Sequence, residues 1–527
     1  MKERILTSLI TAFVFATMQS QTSPIAPKLV IGLTIDQLRT DYMEAFSALY
    51  GERGFKRLLK EGCVYYNGEY DFINVDLSSS VAALYTGTTP YYNGILANRW
   101  MDRRSLRLVN SVSDPSYMGI YTSEFTSPQH LQVSTLSDEL KVSTNGDAEI
   151  YSISPTREMA IFAAGHAANG AFWLNDETGK WCGSTYYGGF PEWISSYNDR
   201  DGLDFRIDNI TWGPYLPVTS YQYVASEVKQ LSFEHDFSDE RADKYRKFKT
   251  SPYVNDEVNR LVNACFANTN IGKDNVPDLL TIGYYGGNYD GKSDREYAME
   301  IQDAYVRLDN TIGDLLDLID RKVGLKNTLI FVTSTGYIDS EPADSAQFKI
   351  PTGEFHIDRC GALLNMYLMA VYGQGQYVET YYDQQIYLNH KVIEEKELNL
   401  TEVLNRSADF IVQMSGVRSA YTSQRLLLGA WNPHIDKIRN NFNLNFSGDI
   451  YIEVMPGWSV IDEYYHMKKV IRDNYVSVPI IFFGYNVTPK TFYDPIKITA
   501  IAPTIAHFMR IRAPNAATVA PLITITK

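Results

Sequence analysis

Residues 28–36 read Lys-Leu-Val-Ile-Gly-Leu-Thr-Ile-Asp, an apolar run that ends in a carboxylate. The run is rich in β-branched residues and lacks the strict alternation of a strand with one wet face. That pattern is typical of a strand buried on both faces of a parallel sheet. Because ligand sites in such sheets lie at the C-terminal ends of the strands, Asp36 is the first candidate functional residue.

Short apolar runs of the same kind recur along the chain, at 149–154, 279–285, 328–333 and 478–483. Helical periodicity lies between them, at 54–61 and 297–322. The alternation predicts an α/β fold, a three-layer sandwich whose mostly parallel central sheet carries helices on both faces. Residues of about 187–275 and 338–455 break this rhythm and are predicted to be cap insertions on the core.

The first residues indicate export. Lys2 and Arg4 precede an apolar run over 5–18, which is much shorter than the ~20 residues of a membrane-spanning helix. This pattern predicts a signal peptide over 1–22, a periplasmic location and one domain over 23–527. An uncleaved N-terminal anchor is the alternative. No later segment is long and apolar enough to span a membrane, so no transmembrane segment is expected in the mature chain.

Composition limits the partners. The chain has 527 residues and a net charge of −14, and an acidic surface disfavours nucleic acid and anionic membranes. The expected partner is a periplasmic or outer-membrane protein or a glycan. The four cysteines form no C-x-x-C pair, which argues against a cysteine zinc site. Buried thiols and disulfides both remain open for them.

An ordered set of short motifs carries a resemblance. Asp36 ends the first strand; then come Tyr85–Thr86–Gly87, Asn98–Arg99–Trp100, the run Ala-Gly-His-Ala-Ala-Asn over 164–169, and Val478–Pro479. In this order, over about residues 28–520, the chain resembles the alkaline phosphatase superfamily, in its branch of type I phosphodiesterases, nucleotide pyrophosphatases and periplasmic alkaline phosphatases. The resemblance implies an alkaline-phosphatase-like fold. In active members, two zinc ions and a Thr or Ser nucleophile at a helix N-terminus hydrolyse phosphate esters.

The metal ligands that the resemblance implies are mostly missing. Asp36 fits the first of six Asp or His positions. Asn288 and Lys292 stand at an Asp and a His position, Ser334 and Thr335 at the next Asp and His, and Ser477 at the last His. Amides and hydroxyls are weak zinc donors, and a lysine ammonium repels a cation. We therefore expect no bound metal, with Asp36 as a residual ligand; alternatively, Asp36, Asp41, Asp290 and Glu158 together hold Ca²⁺ or Mg²⁺.

The nucleophile position is also altered. Leu77 occupies it, and Ser78 is a weak candidate for a shifted nucleophile. Asp76 or Ser78 is more simply an N-cap of the following helix. Asn98 matches a phosphate-contacting Asn of the family, whereas Thr156–Arg157–Glu158 replaces the Lys-x-Arg of active phosphatases.

These residues predict a vestigial pocket at one edge of the sheet, made of Asp36, Ser78, Asn98, Asn288, Lys292, Ser334, Thr335 and Ser477. In it, Lys292 is expected to pair with Asp36 and so replace part of the missing metal charge. His166, His356 and His466 are interpreted as structural, because no His-x-His or His-x-x-x-His pattern marks a replacement metal site.

The leading hypothesis is an exported pseudoenzyme of this family, without catalysis or zinc, that acts as a periplasmic binding or assembly factor. Two alternatives remain. One is a metal-dependent phosphomonoester or phosphodiester hydrolase with a rearranged site. The other is a glycan- or peptide-binding module that uses its tyrosine-rich insertions.

Overall fold

The structure is a computed structural model that describes residues 26–221, 232–238, 243–292, 298–339, 351–429, 432–472 and 476–525. The predicted signal peptide, 1–22, lies outside the described residues, so it stays a prediction. No helix among the described residues combines the length and the apolar character that crossing a membrane requires.

Strands and helices alternate through most of the chain. Strands β1 to β11 are Leu29–Asp36, Cys63–Glu69, Arg99–Asp102, Arg107–Asn110, Gly119–Ile120, Ile150–Ser154, Gly170–Leu174, Trp181–Ser184, Thr211–Trp212, His235–Asp236 and Asp278–Tyr285. Strands β12 to β22 are Thr328–Ser334, Glu354–His356, Val378–Tyr382, Gln385–Leu388, Val417–Thr422, Ile450–Val454, Ser459–Asp462, Met467–Val470, Val478–Gly484, Lys490–Phe492 and Ile496–Lys497.

The helices vary from one turn to seven. Helices α1 to α8 are Thr40–Ala45, Phe55–Glu61, Leu77–Thr86, Pro90–Asn93, Leu136–Ser143, Arg157–Ala164, Glu192–Arg200 and Lys244–Lys249. Helices α9 to α16 are Tyr253–Asn268, Ala298–Lys322, Ile357–Tyr372, His390–Glu395, Leu400–Ile411, Ser423–Leu428, Pro433–Asn440 and Ile501–Met509.

The central sheet has the order β21-β2-β20-β12-β1-β11-β6-β7-β8-β5. Its middle strands, β12, β1, β11, β6 and β7, are parallel, whereas β20 is antiparallel to both β12 and β2. All five apolar runs of the sequence lie in this sheet, and every residue of β1 is buried. The predicted α/β fold with a mostly parallel sheet is thereby confirmed.

Alternate residues of β1 serve two different cores. Leu29, Ile31, Leu33 and Ile35 pack in one cluster with the long helix α10, and Val30 packs in the other cluster with α3, α6 and α16. Burial on both faces explains the unbroken apolar run at 29–35, because neither face of the strand meets water.

Gly32 lets helix α3 approach the sheet closely. A Cβ at this position would lie 2.7 Å from the Phe331 ring and 2.8 Å from the Tyr85 hydroxyl. That hydroxyl is also 3.3 Å from the Thr34 hydroxyl on the same strand. Because Gly32 has no side chain, α3 can pack close to β1. The first turn of α3 faces the candidate site.

The two predicted insertions differ in structure. Between 354 and 470, a three-stranded sheet (β13-β18-β19) and a four-stranded sheet (β14-β15-β17-β16) share a hydrophobic cluster with α11. The aromatic residues of the earlier insertion, such as Trp212 and Phe248, instead join the main core. The predicted insertion boundaries remain predictions.

A buried carboxylate fixes part of the earlier insertion to the core. Asp303 in α10 is fully buried and accepts hydrogen bonds from the Trp212 indole (2.6 Å), the Tyr221 hydroxyl (2.6 Å) and the Arg307 guanidinium (2.7 Å). Such a satisfied network gives a polar group a structural role inside an apolar core. All four cysteines are free and buried, so the thiol alternative holds in this structure.

Candidate functional site

The C-terminal ends of β12, β1 and β11 meet at one edge of the sheet. Ile35 is the register partner of Ser334, and Asp36 is the register partner of Tyr285. Neighbouring strands lie about 4.8 Å apart, so the side chains that end these strands form one neighbourhood. The candidate site consists of these strand ends and of the first turn of α3.

Asp36 is buried, with 7% of its surface exposed. The Thr335 hydroxyl donates to Asp36 Oδ1 at 2.8 Å, and the Tyr337 hydroxyl donates to Oδ2 at 3.2 Å. Burial raises the pKa of Asp36 to about 7 despite the hydrogen bond from Thr335, and nearby Asp339 raises it further. At neutral pH this carboxyl is therefore poised between its neutral and ionised forms.

Three tyrosines surround this carboxyl. The Tyr70 hydroxyl donates to the Ser334 carbonyl at 2.8 Å, and the Tyr285 hydroxyl donates to the Asn288 carbonyl at 2.7 Å. Burial raises the pKa values of the Tyr70, Tyr285 and Tyr337 hydroxyls, and the Asp36 charge raises them further. The surroundings of Asp36 thus combine aromatic rings with the Asp339 carboxylate, and no cationic side chain of the described residues is among the main causes of its pKa shift.

The expected ion pair between Lys292 and Asp36 is wrong. No salt bridge joins these two described residues, and Lys292 is not among the main causes of the pKa shift of Asp36. Lys292 follows a turn at 289–291, which contains Asp290 at a φ of 52°. This turn is closed by the Asn288 side-chain amide, which donates to the Lys292 carbonyl at 2.9 Å. Two hydroxyl donors therefore stabilise the charge of Asp36, and its raised pKa reduces the ionised fraction at neutral pH.

The two serines at metal-ligand positions have different surroundings. Ser334 ends β12, and its hydroxyl is buried without a hydrogen-bond partner. The Ser477 hydroxyl donates to the Tyr66 carbonyl at 2.7 Å and lies 3.1 Å from Asn67 Oδ1. Ser477 therefore serves to join its segment to β2 rather than to hold a group beside Asp36.

The N-terminus of α3 is capped by the chain itself. Asp76 Oδ1 accepts from the Ser79 backbone amide at 3.0 Å, and the Ser79 hydroxyl accepts from the Asp76 amide at 3.0 Å. This reciprocal pair is a capping box, so Asp76 is the N-cap of the two residues that the sequence left open. Burial raises the pKa of Asp76 to about 6, and its hydrogen bonds from Ser79 and Asn98 oppose that shift.

Ser78 lies behind this cap and is fully buried. Its backbone amide and its hydroxyl both donate to Asn98 Oδ1, at 3.0 and 2.7 Å, and its hydroxyl is 2.8 Å from the Ser111 hydroxyl. The structure thus brings Ser78 and Asn98 together, but it uses both to complete the helix start. A hydroxyl enclosed in this way has no open face for attack on a substrate.

The basic residue nearest to the Lys-x-Arg position is neutralised. Arg157 forms ion pairs with Glu124 and, at 2.7 Å, with Glu158. Asp41 forms an exposed ion pair with Arg39. Glu158 and Asp41 therefore have cationic partners of their own, which speaks against a Ca²⁺ or Mg²⁺ cluster around Asp36.

A pair of zinc ions does not fit this donor set. Of the predicted vestigial residues, only Asp36 offers a strong zinc donor, and both of its oxygens accept hydrogen bonds from hydroxyls. The hydroxyl of Thr335, at a His position, also accepts from the Gln37 amide at 2.9 Å. Two of the positions at which the resemblance implies ligands, Asp36 and Thr335, thus bond to each other.

A cleft of about 1370 Å³ opens between the sheet edge and the insertion at 354–470. Asp76, Asn98 and Tyr337 line it on the sheet side, and Tyr382 and Lys469 line it on the insertion side. Lys469 is 2.8 Å from Asp383 and lowers the pKa of Asp76, although burial of Asp76 is the larger effect. The cleft therefore presents tyrosines and paired charges rather than a metal centre.

Sequence reasoning missed Tyr70, Tyr337 and Asp339 as parts of this site. Tyr337 lies two residues beyond Thr335, and Tyr70 directly follows β2. Extending the rule about strand ends by three residues would have found Tyr70 and Tyr337. Their contact with Asp36 and Ser334 depends on tertiary packing that no local pattern records.

Comparison with known proteins fits this architecture. Residues 30–475 match the type I phosphodiesterase / nucleotide pyrophosphatase family. The chain is 26% identical to the alkaline phosphatase PafA of Elizabethkingia meningoseptica, over 99% of this chain and 98% of the relative. It is 28% identical to the alkaline phosphatase PhoV of Synechococcus elongatus, over 93% of this chain and 91% of the relative.

The likeness extends to three dimensions. The crystal structure of wild-type alkaline phosphatase PafA superposes with a TM-score of 0.83 at 25% sequence identity. That superposition covers 96% of this chain and 100% of the phosphatase chain. The scaffold is therefore retained over nearly the whole length, whereas the residues at the site differ from the pattern that the motifs predict for active members.

Proposed function

Since the chain belongs to the type I phosphodiesterase / nucleotide pyrophosphatase family, we propose that it is an exported, catalytically inactive member that acts as a periplasmic binding or assembly factor. The observation that carries the proposal is the state of helix α3. Its first-turn amides are bonded to Asp76 and Asn98, so the place where a phosphoryl group would sit is taken by the chain's own side chains.

Electrostatics supports the same conclusion. A helix N-terminus attracts anions because its backbone amides carry partial positive charge. Here the Asp76 carboxylate already supplies that anion, and it also accepts the Asn98 backbone amide at 2.5 Å. A phosphate ester at this position would have to displace a carboxylate or lie beside it, and like charges at such distances repel strongly.

The state of the nucleophile position, within the part of the chain that the structure describes, supports inactivity independently. Leu77 stands at the position of the attacking hydroxyl, and Ser78 is fully buried in hydrogen bonds to Asn98 and Ser111. Phosphoryl transfer depends on positioning and on positive charge at the transferred group. Among the described residues, no accessible hydroxyl at the start of α3 provides that positioning, and no cation beside Asp36 provides that charge.

The cleft supports a binding role. Its volume of about 1370 Å³ exceeds the roughly 300–1,000 Å³ of small-molecule sites, so it suits an extended peptide or glycan. Tyr70, Tyr337 and Tyr382 line it, and tyrosines provide broad contact surfaces with a polar end. The partner proposed here is accordingly a periplasmic or outer-membrane protein or glycan.

Turnover provides the first test. Protein purified without chelator should hydrolyse neither p-nitrophenyl phosphate nor bis-p-nitrophenyl phosphate, with or without added zinc, under conditions in which the alkaline phosphatase PafA is active. Hydrolysis that is lost in Asp36→Asn would overturn the proposal and establish the hydrolase alternative.

Partner capture provides the second test. Wild-type protein should retain a defined protein or glycan from a periplasmic extract, and Tyr382→Ala, inside the cleft, should lose it. Tyr92→Ala is the matched control, because Tyr92 is 47% exposed and does not line the cleft. Equal capture by both variants would show that the cleft is not the binding surface.

A further inference from the structure

A second cluster of potential ligands lies in the insertion, away from the strand ends around Asp36. His356, Asp358 and Glu463 each offer one ligand atom, and these atoms all lie within 4.8 Å of one another. His356 ends β13 and Glu463 follows β18, and these two strands are parallel with His356 opposite Ile461. The strand pairing therefore brings His356 close to Glu463, which lies 107 positions further along the sequence.

Several polar atoms in this cluster are enclosed and unsatisfied. His356 Nδ1 and Asp358 Oδ1 are buried atoms without a hydrogen-bond partner. His356 Nδ1 lies 3.2 Å from Glu463 Oε1, but the geometry does not make a hydrogen bond. Buried polar atoms in folded proteins are nearly always satisfied, so orphaned atoms that converge need an explanation such as an ion.

A buried carboxylate adjoins the cluster and provides an independent observation. Asp462, next to Glu463 in the chain, is 1% exposed, and its Oδ2 has no hydrogen-bond partner. A buried carboxylate oxygen without a partner is costly, and a divalent cation beside it would reduce that cost.

The ligand types identify the class of ion. One imidazole nitrogen with carboxylate oxygens suits zinc, whereas calcium and magnesium prefer oxygen ligands alone. Arg359 approaches Glu463 at 3.4 Å, but the two side chains are 67% and 56% exposed. An ion pair so exposed contributes little, so Glu463 is free to exchange Arg359 for a metal.

We infer that His356, Asp358 and Glu463 bind one zinc ion, with solvent completing a four-coordinate site. Three protein ligands and a water are a common zinc arrangement. This proposal gives His356 a ligand role in place of the structural role that the sequence suggested. It is also separate from the question of catalysis, because none of the three ligands touches Asp36 or the start of α3.

Zinc titration tests the inference. Metal-stripped protein, titrated with zinc chloride in a calorimeter, should bind one zinc per chain, and calcium at the same concentration should not compete. His356→Ala should weaken binding by at least the ~10–100-fold that loss of an outer-shell partner costs. His434→Ala is the control, since His434 is a histidine of the same insertion that is paired with a single carboxylate, Glu453, at 2.9 Å.

Two further variants make every outcome informative. Glu463→Gln keeps size and alters an exposed position, so it carries the test if His356→Ala does not fold. Asp36→Asn should retain its zinc. No zinc uptake by wild-type protein, or uptake that both ligand variants leave unchanged, would overturn the assignment. Zinc lost only in Asp36→Asn would place the ion at the sheet edge and would overturn the proposed inactivity as well.

Discussion

The Thr335 hydroxyl lies 2.8 Å from the Asp36 carboxylate and donates a hydrogen bond across two neighbouring strands, at positions where the family resemblance implies two metal ligands. The bond continues to the Gln37 amide, which donates to Thr335 at 2.9 Å. Two residues at positions where the resemblance implies metal ligands, Thr335 and Asp36, thus form a hydrogen bond with each other. This relationship leads to expectations that differ from those for a metalloenzyme.

Asp36→Asn should stabilise the protein at alkaline pH. Burial holds the folded-state pKa of Asp36 at about 7, above the unfolded value of 3.8, so stability is full below about pH 4 and falls as pH rises toward 7. Asn cannot ionise and escapes this loss. The stability difference between variant and wild type should grow by on the order of 4 kcal/mol from pH 4 to pH 8, measured by urea unfolding.

Thr335→Val is the opposing variant for the same site. It keeps the shape of the side chain but removes the donor to Asp36, and loss of a hydrogen bond to a charged group costs about 1.5–3 kcal/mol. Its instability should be greatest above pH 7, where Asp36 is ionised. Equal pH profiles for wild type, Asp36→Asn and Thr335→Val would show that Asp36 does not titrate in this range.

Lys292→Ala should change stability by less than about 0.5 kcal/mol, as is usual for a side chain away from cores and networks. The reason is that Lys292 forms no ion pair with Asp36 in the structure. Thermal melts of Lys292→Ala, Asp36→Asn and the double variant should show additive effects. A coupling of more than about 0.5 kcal/mol would restore the ion pair that the sequence suggested.

Asp76→Ala should both destabilise the protein and create an anion site. Loss of the cap costs about 1 kcal/mol. It also frees the amides of Ser79 and Asn98, and free amides at a helix start bind phosphate. Inorganic phosphate should therefore raise the melting temperature of Asp76→Ala more than that of wild type, at matched ionic strength.

Thr135→Ala is the control for that experiment. Thr135 is the N-cap of α5 in a capping box with Asp138, so its loss should cost a similar amount of stability. The phosphate response should remain at the wild-type level in Thr135→Ala. A phosphate response as large as that of Asp76→Ala would show that general salt effects, rather than a freed anion site, are responsible.

Gly32→Ala should destabilise the fold by about 1–3 kcal/mol, the usual cost of overpacking. The added methyl would lie 2.7 Å from the Phe331 ring and 2.8 Å from the Tyr85 hydroxyl. Gly189→Ala is the matched control, because a Cβ there meets nothing within 4 Å. Urea unfolding of both variants measures the difference, and equal midpoints would refute close packing of α3 on β1.

The core of the fold was predictable because its strands are buried on both faces. The apolar run at 28–36 and the helical periodicity at 297–322 can be recognised from the local sequence alone. They correspond to β1 and to α10. The direction of β20 was not predictable, since an antiparallel strand buried on both faces has the same apolar pattern as a parallel one.

The site was predictable only where the residues follow strands directly. Asp36 was found in this way, and the family resemblance added Ser334 and Thr335, which the pairing of β1 with β12 brings close to it. The expected partner of Asp36 was wrong: Lys292 follows a turn after β11, and the order of the motifs does not specify the geometry of that turn. His356 and Glu463 were missed as a pair because only strand pairing, far along the chain, brings them together.

The cap on α3 also constrains the history of the protein. Asp76 now stabilises the helix start and thereby the packing around Ser78 and Asn98. Single substitutions that introduce Asp or His at the positions where the resemblance implies ligands would leave the Asp76 carboxylate in place. None of them alone would therefore restore a phosphate-binding site at the start of α3. Replacing Asp76 first would sacrifice stability before any activity appeared. The loss of catalysis that we propose would therefore be hard to reverse by single substitutions, and variation at the cleft is expected to be easier than reversion.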